Sequence, residues 1–169
     1  MELKQVFQVC VVVKDIEKSV ERYWNIFGVG PWQIHTFGSP DLRDTTLHGK
    51  PEPYSMRIAA AQIGNIQWEL IQPLSGRSSY QEFLDEKGEG LHHVAIAVED
   101  FDRTIAACEK HGIGTVMTGR FRESEFAYLD TAPALGFITE LLKTPPGFEM
   151  PKPDAVFPPP VVLGSGLEN

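Results

Sequence analysis

Positive charge is scarce in this chain. Its 169 residues carry 15 lysines and arginines against 23 aspartates and glutamates, a net charge of −8. Nucleic acid and anionic membrane surfaces both attract a basic face, so the deficit argues against either as a partner. Cysteine is scarcer still. Only Cys10 and Cys108 are present, each within an apolar run, so they are expected to be buried free thiols in a reducing compartment, with no disulfide framework. Long hydrophobic runs are missing too. The longest near the N-terminus, residues 9–13, is far too short to span a bilayer. The opening MELKQVFQV lacks the charged-then-apolar pattern of a signal peptide. A cytoplasmic location is the expectation that follows.

What remains is an ordinary globular composition, 42% hydrophobic and 22% charged, in a length that suits one domain. Within it the chain repeats itself. Gln8-Val-Cys-Val-Val-Val-Lys-Asp-Ile-Glu-Lys-Ser-Val lies over His93-Val-Ala-Ile-Ala-Val-Glu-Asp-Phe-Asp-Arg-Thr-Ile, an offset of 85 positions. Further on, Ile66-Gln-Trp-Glu-Leu-Ile-Gln-Pro lies over Phe137-Ile-Thr-Glu-Leu-Leu-Lys-Thr, an offset of 71. Two matches in the same order indicate two copies of one module, about 5–73 and 90–145, the first with the longer middle.

Each copy opens on a β-branched run, residues 7–13 and 92–98, that predicts a strand. Asp15 and Asp100 follow as helix caps. Ile16, Val20, Tyr23 and Phe27 then have helical spacing, as do Phe101, Ile105 and Cys108. Gly28 and Gly112 stop the helices. Three strands are expected after each helix, near 32–38, 54–62 and 65–72, and near 114–119, 125–130 and 136–142. The order per module is βαβββ, an α+β class. Residues 39–53, rich in Pro, Gly, Asp and His, read as a long loop that covers a pocket mouth as a lid. Ser78 to Lys87 predicts a short linking helix. Residues 146–169 form a proline-rich tail beyond a domain of residues 1–145 and pack locally or stay disordered.

The repeat also places chelating residues at its own landmarks. Gln8 and His93 sit on the first strands, and Glu69 and Glu140 sit midway along the last ones. A carboxylate flanked by Trp68 and Leu70, or by Leu141 and Leu142, is costly in a core without a cation. Taken singly, each residue has a blander explanation. Taken together at matching points of a duplicated module, they point to a metal site. Two carboxylates, one imidazole and one amide oxygen make a mostly hard donor set, suited to Zn, Co, Ni, Mn or Mg.

The strings QVCVVVKDIEKSVERYWNIFGVGPW, WELIQP, GLHHVAIAVEDFD and FITELL resemble the vicinal oxygen chelate superfamily over about residues 5–145. That group includes glyoxalase I, methylmalonyl-CoA epimerase, extradiol dioxygenases, and fosfomycin- and bleomycin-resistance proteins. The resemblance implies two βαβββ modules in one cupped mixed sheet, with one divalent metal per chain held by Gln8, Glu69, His93 and Glu140. His92 precedes the matching position and is expected to face outward, although a one-residue slip would exchange the pair. A non-haem iron oxygenase would show a second histidine where Gln8 stands.

The resemblance to methylmalonyl-CoA epimerase implies an isomerase that moves a proton next to a metal-bound carbonyl, with Glu140 as first candidate for the base and Glu69 as second. A glyoxalase I-like lyase is the alternative, and a non-catalytic binding or resistance protein of the same fold is another. The corresponding partners are an acyl-CoA or a hemithioacetal, and a homodimer is expected. Where the epimerases carry a second glutamate, the approximate match is Arg57, which binds anions and cannot act as a base. Trp32, Tyr54 and Arg120 complete the candidate substrate contacts. Phe37, Trp68, Phe121 and Arg122 are further pocket candidates.

Overall fold

The first copy of the repeat folds as β1 (Val6–Val12), α1 (Ile16–Phe27), β2 (Trp32–Phe37), β3 (Leu42–Leu47), β4 (Lys50–Pro51), β5 (Ser55–Ile63) and β6 (Ile66–Ser75). A linking helix, α2 (Ser79–Lys87), leads to the second copy. This consists of β7 (Gly90–Ala97), α3 (Phe101–Glu109), β8 (Thr115–Phe121), β9 (Ser124–Leu129), the single turn α4 (Ala132–Leu135) and β10 (Ile138–Lys143). A last strand, β11 (Ala155–Phe157), follows. This computed structural model describes residues 5–159.

Among the described residues all eleven strands join one mixed sheet, in the order β11-β2-β5-β6-β1-β7-β10-β9-β8-β3-β4. The two copies meet at its centre, where β1 and β7 run antiparallel, and each is flanked by the last strand of its own module in parallel. The expected βαβββ modules and the α+β class are therefore what the chain adopts. The sheet curls, so that side chains from both modules look into one cavity.

Local chemistry explains the helices. Asp15 keeps extended backbone, and its side chain accepts from the Lys18 amide at 3.0 Å. Asp100 does the same for the Arg103 amide at 3.1 Å. Gly28 ends α1 in the left-handed region, where its amide donates to the Trp24 carbonyl. The apolar stripe of α1, Ile16 and Val20, packs on Trp32, Ala59 and Leu70 from the convex side of the sheet. Each such aliphatic side chain contributes about 1.5–3 kcal/mol when fully buried. Ser78 caps α2 through its hydroxyl, within a residue of the expected start.

The stretch 39–53 departs from expectation. It is a β-hairpin, not a loop. β3 pairs antiparallel with β8 of the other module, and His48 donates its amide to the Val116 carbonyl at 2.7 Å. Its sequence, Leu42-Arg-Asp-Thr-Thr-Leu47, is too polar to read as a strand because its partner lies some 75 residues away and only Leu42, Thr45 and Leu47 are buried. Asp44 at φ 53 and a register shift between Arg43 and Thr46 mark an irregularity that breaks strict alternation. A segment fixed by a ladder on each side is part of the wall, so the lid expected here is not supported. The tail is anchored as well. β11 pairs with β2, and Asp154 accepts from the Thr36 amide at 2.7 Å. The expectations for residues 160–169 lie outside the described residues.

Candidate metal centre and cavity

Parallel pairing sets Cys10 of β1 beside Glu69 of β6, and Ala95 of β7 beside Glu140 of β10. Antiparallel pairing sets Cys10 opposite His93, and Gln8 opposite Ala95. The four expected chelators thus come from the four central strands. All are buried, with Gln8, Glu69 and Glu140 at 6–8% exposure and His93 at 0%.

His93 Nε2 lies 3.1 Å from Glu140 Oε2 and 3.7 Å from Glu69 Oε2. Neither approach has hydrogen-bond geometry, and this nitrogen is buried with no hydrogen-bond partner. A buried ring nitrogen normally finds one. Two carboxylates converging on an unpartnered imidazole nitrogen fit a cation held between them. The Gln8 side chain fits as well. Its Nε2 donates to Gln67 Oε1 at 2.6 Å, which leaves its own oxygen as a donor atom for a metal. Burial pushes the Glu69 carboxyl from its ordinary 4.5 up to about 7, with the Glu140 charge adding to the rise, while His93, Cys10 and Gln8 oppose it.

Three residues of this centre are not legible from the repeat. Cys10 Sγ, a Glu69 oxygen and a His93 nitrogen all lie within 4.8 Å of one another, the only cluster of metal-competent His, Cys, Asp and Glu side chains found among the described residues. Cys10 is buried as expected, but it is a neighbour of the centre rather than mere core. Its place two residues after Gln8 on the same strand face is the signal that pointed there. Gln67, two residues before Glu69, is the second.

His92 is the third, and here an expectation is corrected. His92 does not face outward: it is buried at 1% exposure, under Tyr80 and Phe83 of α2. The cause is a β-bulge. Cys10 pairs with His93 and Val11 pairs with Leu91, so His92 is an extra residue with no partner on β1. A bulge cancels one step of alternation and brings neighbouring side chains to the same side. His92 Nδ1 then lies 2.9 Å from His93 Nδ1. Burial holds the His92 ring well below its ordinary pKa and hence neutral, with His93 the next cause. One proton between the two Nδ1 atoms fixes the tautomer pair. With it on His93, that ring presents an unprotonated Nε2 to the carboxylates.

Gln8, Gln67, Glu69 and Glu140 line the floor of a cavity of about 160 Å³, and Cys10, His92 and His93 lie outside its lining. Its walls carry Tyr54, Phe37 and Phe121, as expected, together with Met56 and Ile58 of β5 and Phe148 and Met150 of the tail. Tyr80 and Tyr128 close its deep side, their hydroxyls 2.6 Å apart, and Tyr128 packs edge-on against His93. Three expected substrate contacts lie elsewhere. Trp32 is fully buried under α1, its indole donating to the Val29 carbonyl. Arg57 points to the convex face, where it pairs with Glu17 at 2.5 Å, because alternation turns Met56 and Ile58 inward instead. Arg120 is half-exposed, 3.4 Å from Glu125 and 3.9 Å from Asp44. Trp68 packs on Tyr23 of α1, and Arg122 pairs with Asp41 at 2.8 Å. A wider groove of about 1060 Å³ runs beside α3 but holds none of the four chelators.

Comparison with known proteins agrees with this architecture. Residues 7–128 match the Glyoxalase/Bleomycin resistance protein/Dioxygenase superfamily. Human mitochondrial methylmalonyl-CoA epimerase is 26% identical over 107 residues, 62% of this chain and 52% of that protein. The chain spans about half the length of the mammalian epimerases it matches. Among solved structures, methylmalonyl-CoA epimerase from Mycobacterium tuberculosis superposes with a TM-score of 0.63 at 22% identity, covering 85% of this chain and 90% of that one. A Streptomyces coelicolor methylmalonyl-CoA epimerase variant in complex with 2-nitronate-propionyl-CoA gives 0.62 at 21% identity, covering 89% and 100%. At these identities the structural likeness carries the fold.

Proposed function

This chain belongs to the Glyoxalase/Bleomycin resistance protein/Dioxygenase superfamily, and from that premise we propose that it is a metal-dependent isomerase moving a proton at a carbon next to a carbonyl. The observation that carries the proposal is the buried, unpartnered His93 Nε2, 3.1 Å from Glu140 and 3.7 Å from Glu69, the two carboxylates that line the cavity floor. Gln8, Glu69, His93 and Glu140 would hold the cation. When bound, a divalent ion supplies positive charge that stabilises negative charge developing on a substrate oxygen.

The chain's own residues do the rest. Glu140 takes the proton from the carbon, and the electron pair of the broken C–H bond delocalises onto the carbonyl oxygen. Glu69 stands at the repeat-equivalent position and lines the same cavity. Return of the proton from Glu140 restores the centre; inversion requires that Glu140 release its proton to solvent and that Glu69, after taking up a proton from solvent, deliver it to the opposite face. The aromatic walls and the buried tyrosines exclude bulk water, which keeps both carboxylates in a poorly screened setting. The names of the epimerase relatives support an acyl-CoA thioester as substrate. A glyoxalase I-like reaction on a hemithioacetal is the second candidate, favoured by the pairing of two carboxylates with one imidazole and one amide.

The test is exchange in deuterated water. Glu140→Gln keeps an oxygen donor but loses the base. It is expected to retain much of the metal and to lose substrate α-proton exchange by about 10²-fold or more, with Glu69→Gln losing less. Exchange at the wild-type rate in Glu140→Gln removes Glu140 from the role.

A further inference from the structure

The epimerase relatives are named for methylmalonyl-CoA, whose acyl group ends in a free carboxylate. The cavity of this chain is unsuited to one. We propose that its substrate carries an uncharged, apolar acyl group: a thioester branched at the reacting carbon, with an alkyl or aryl substituent where methylmalonyl-CoA has a carboxylate. This deepens the proton-transfer reading above and rests on it.

Charge comes first. Among the described residues, no lysine or arginine lines the cavity. Its charged lining groups are Glu69 and Glu140. Two ionised carboxylates balance the charge of one divalent cation, so the floor has no surplus positive charge to receive a third carboxylate. Placed beside the first two, that carboxylate would meet like charge in a poorly screened space. Burying it unpaired among aromatic rings is costly as well.

Cations adjoining the lining are paired elsewhere: Lys143 and Arg120 with Glu125, Arg122 with Asp41, and Arg57 with Glu17. Arg57 sits between Met56 and Ile58 on β5, yet alternation sends it to Glu17 on the convex face, while Met56 and Ile58 face the cavity. His35 is the basic ring in the lining. It is buried, stacks on Phe37 at 5.3 Å, and is held below its ordinary pKa by burial, so it presents no charge at neutral pH. The apolar part of the cavity lining is instead Phe37, Met56, Ile58, Phe126, Phe148 and Met150, among others. The remaining polar groups are amides and hydroxyls, which suit a carbonyl oxygen rather than an anion.

Isobutyryl-CoA and methylmalonyl-CoA make the discriminating pair. They share the CoA portion and differ by a methyl for a carboxylate at one carbon. With the zinc-loaded full chain, binding of each is measured by calorimetry, and α-proton exchange is followed in deuterated water. Isobutyryl-CoA is expected to bind at least roughly tenfold more tightly. Met56→Arg, which puts a cation at a half-buried wall position, is expected to narrow or reverse that ratio. Equal or tighter binding of methylmalonyl-CoA by the unmodified chain overturns the proposal, as does binding of neither thioester. Tighter binding of isobutyryl-CoA with no α-proton exchange supports this acyl selectivity and sinks the proton-transfer reading instead.

Discussion

Val9 pairs across the central ladder with Val94, its own counterpart in the second copy of the repeat. A pseudo-twofold axis therefore passes between these two residues. Everything at offset 85 is related by it, and so are the proposed metal ligands: Gln8 with His93, and Glu69 with Glu140. The bulge obeys the same symmetry. His92 is the extra residue on β7, and Phe7, its counterpart, is skipped on β1 where the register shifts between Val6 and Gln8. Each chelating position on the central strands thus follows a bulge.

One divalent ion per chain is expected from this geometry. Elemental analysis of protein purified without chelators is expected to give close to one equivalent. Glu69→Ala and His93→Ala each remove a donor and are expected to empty the site. Full occupancy in both variants would place the metal elsewhere.

His92 is expected to act on the centre through its 2.9 Å contact with His93 rather than as a metal ligand. Its replacement by phenylalanine keeps a ring beneath α2 but removes the Nδ1 partner. Zinc affinity, read by competition with a chromogenic chelator, is expected to fall about 10–100-fold. Asparagine, which restores a side-chain acceptor, is expected to recover part of it. Unchanged affinity in His92→Phe would reduce His92 to core packing.

Glu69 ties stability to pH. Burial pushes its carboxyl from an ordinary 4.5 up to about 7, so the folded state holds the proton more tightly. The penalty for ionising it is absent below pH 4.5, grows between 4.5 and 7, and is complete above. Chelator-treated protein is expected to lose stability in urea as pH rises through that window, by an amount on the order of 3 kcal/mol. Glu69→Gln is expected to flatten this slope. Metal binding requires the ionised form, so zinc affinity of the unmodified chain is expected to climb over the same range. A slope identical in Glu69→Gln would mean another group carries it.

Arg57 separates the two faces of β5. Its ion pair with Glu17 is partly exposed, and such pairs contribute only about 0–1 kcal/mol. Arg57→Met is therefore expected to leave α-proton exchange within about twofold of normal and to shift the urea midpoint slightly. A loss of exchange without a loss of stability would return Arg57 to the substrate.

The duplicated module, its caps and the convergence of its four candidate ligands were legible because they depend on local pattern. Asp15 and Asp100 cap their helices through residues three positions on, and Gln8, Glu69, His93 and Glu140 stand at landmarks the repeat itself supplies. What escaped was set by partners far along the chain. β3 is polar and irregular, and becomes a strand because β8 offers it a ladder. The burial of His92 depends on one skipped residue in the pairing of β1 with β7, and residue spacing along a single strand cannot reveal a skip on another. Trp32 and Arg57 have the composition of pocket residues but the parity of the convex face. Parity is fixed by register, which the strand sequence alone leaves undetermined.

The two segments that lie outside the repeat guard its outer flanks, and they do so crosswise. β2 ends the first module, and its free backbone groups are taken up by β11, which follows the second. β8 ends the second module and is matched by β3, which belongs to the first. Unpaired strand edges recruit other chains, so either module made alone would expose its outer flank as well as its central strand, and carry the other's guard unused. The symmetry of the sheet is thus completed crosswise: the strand that shields each half's outer flank is carried by the other half.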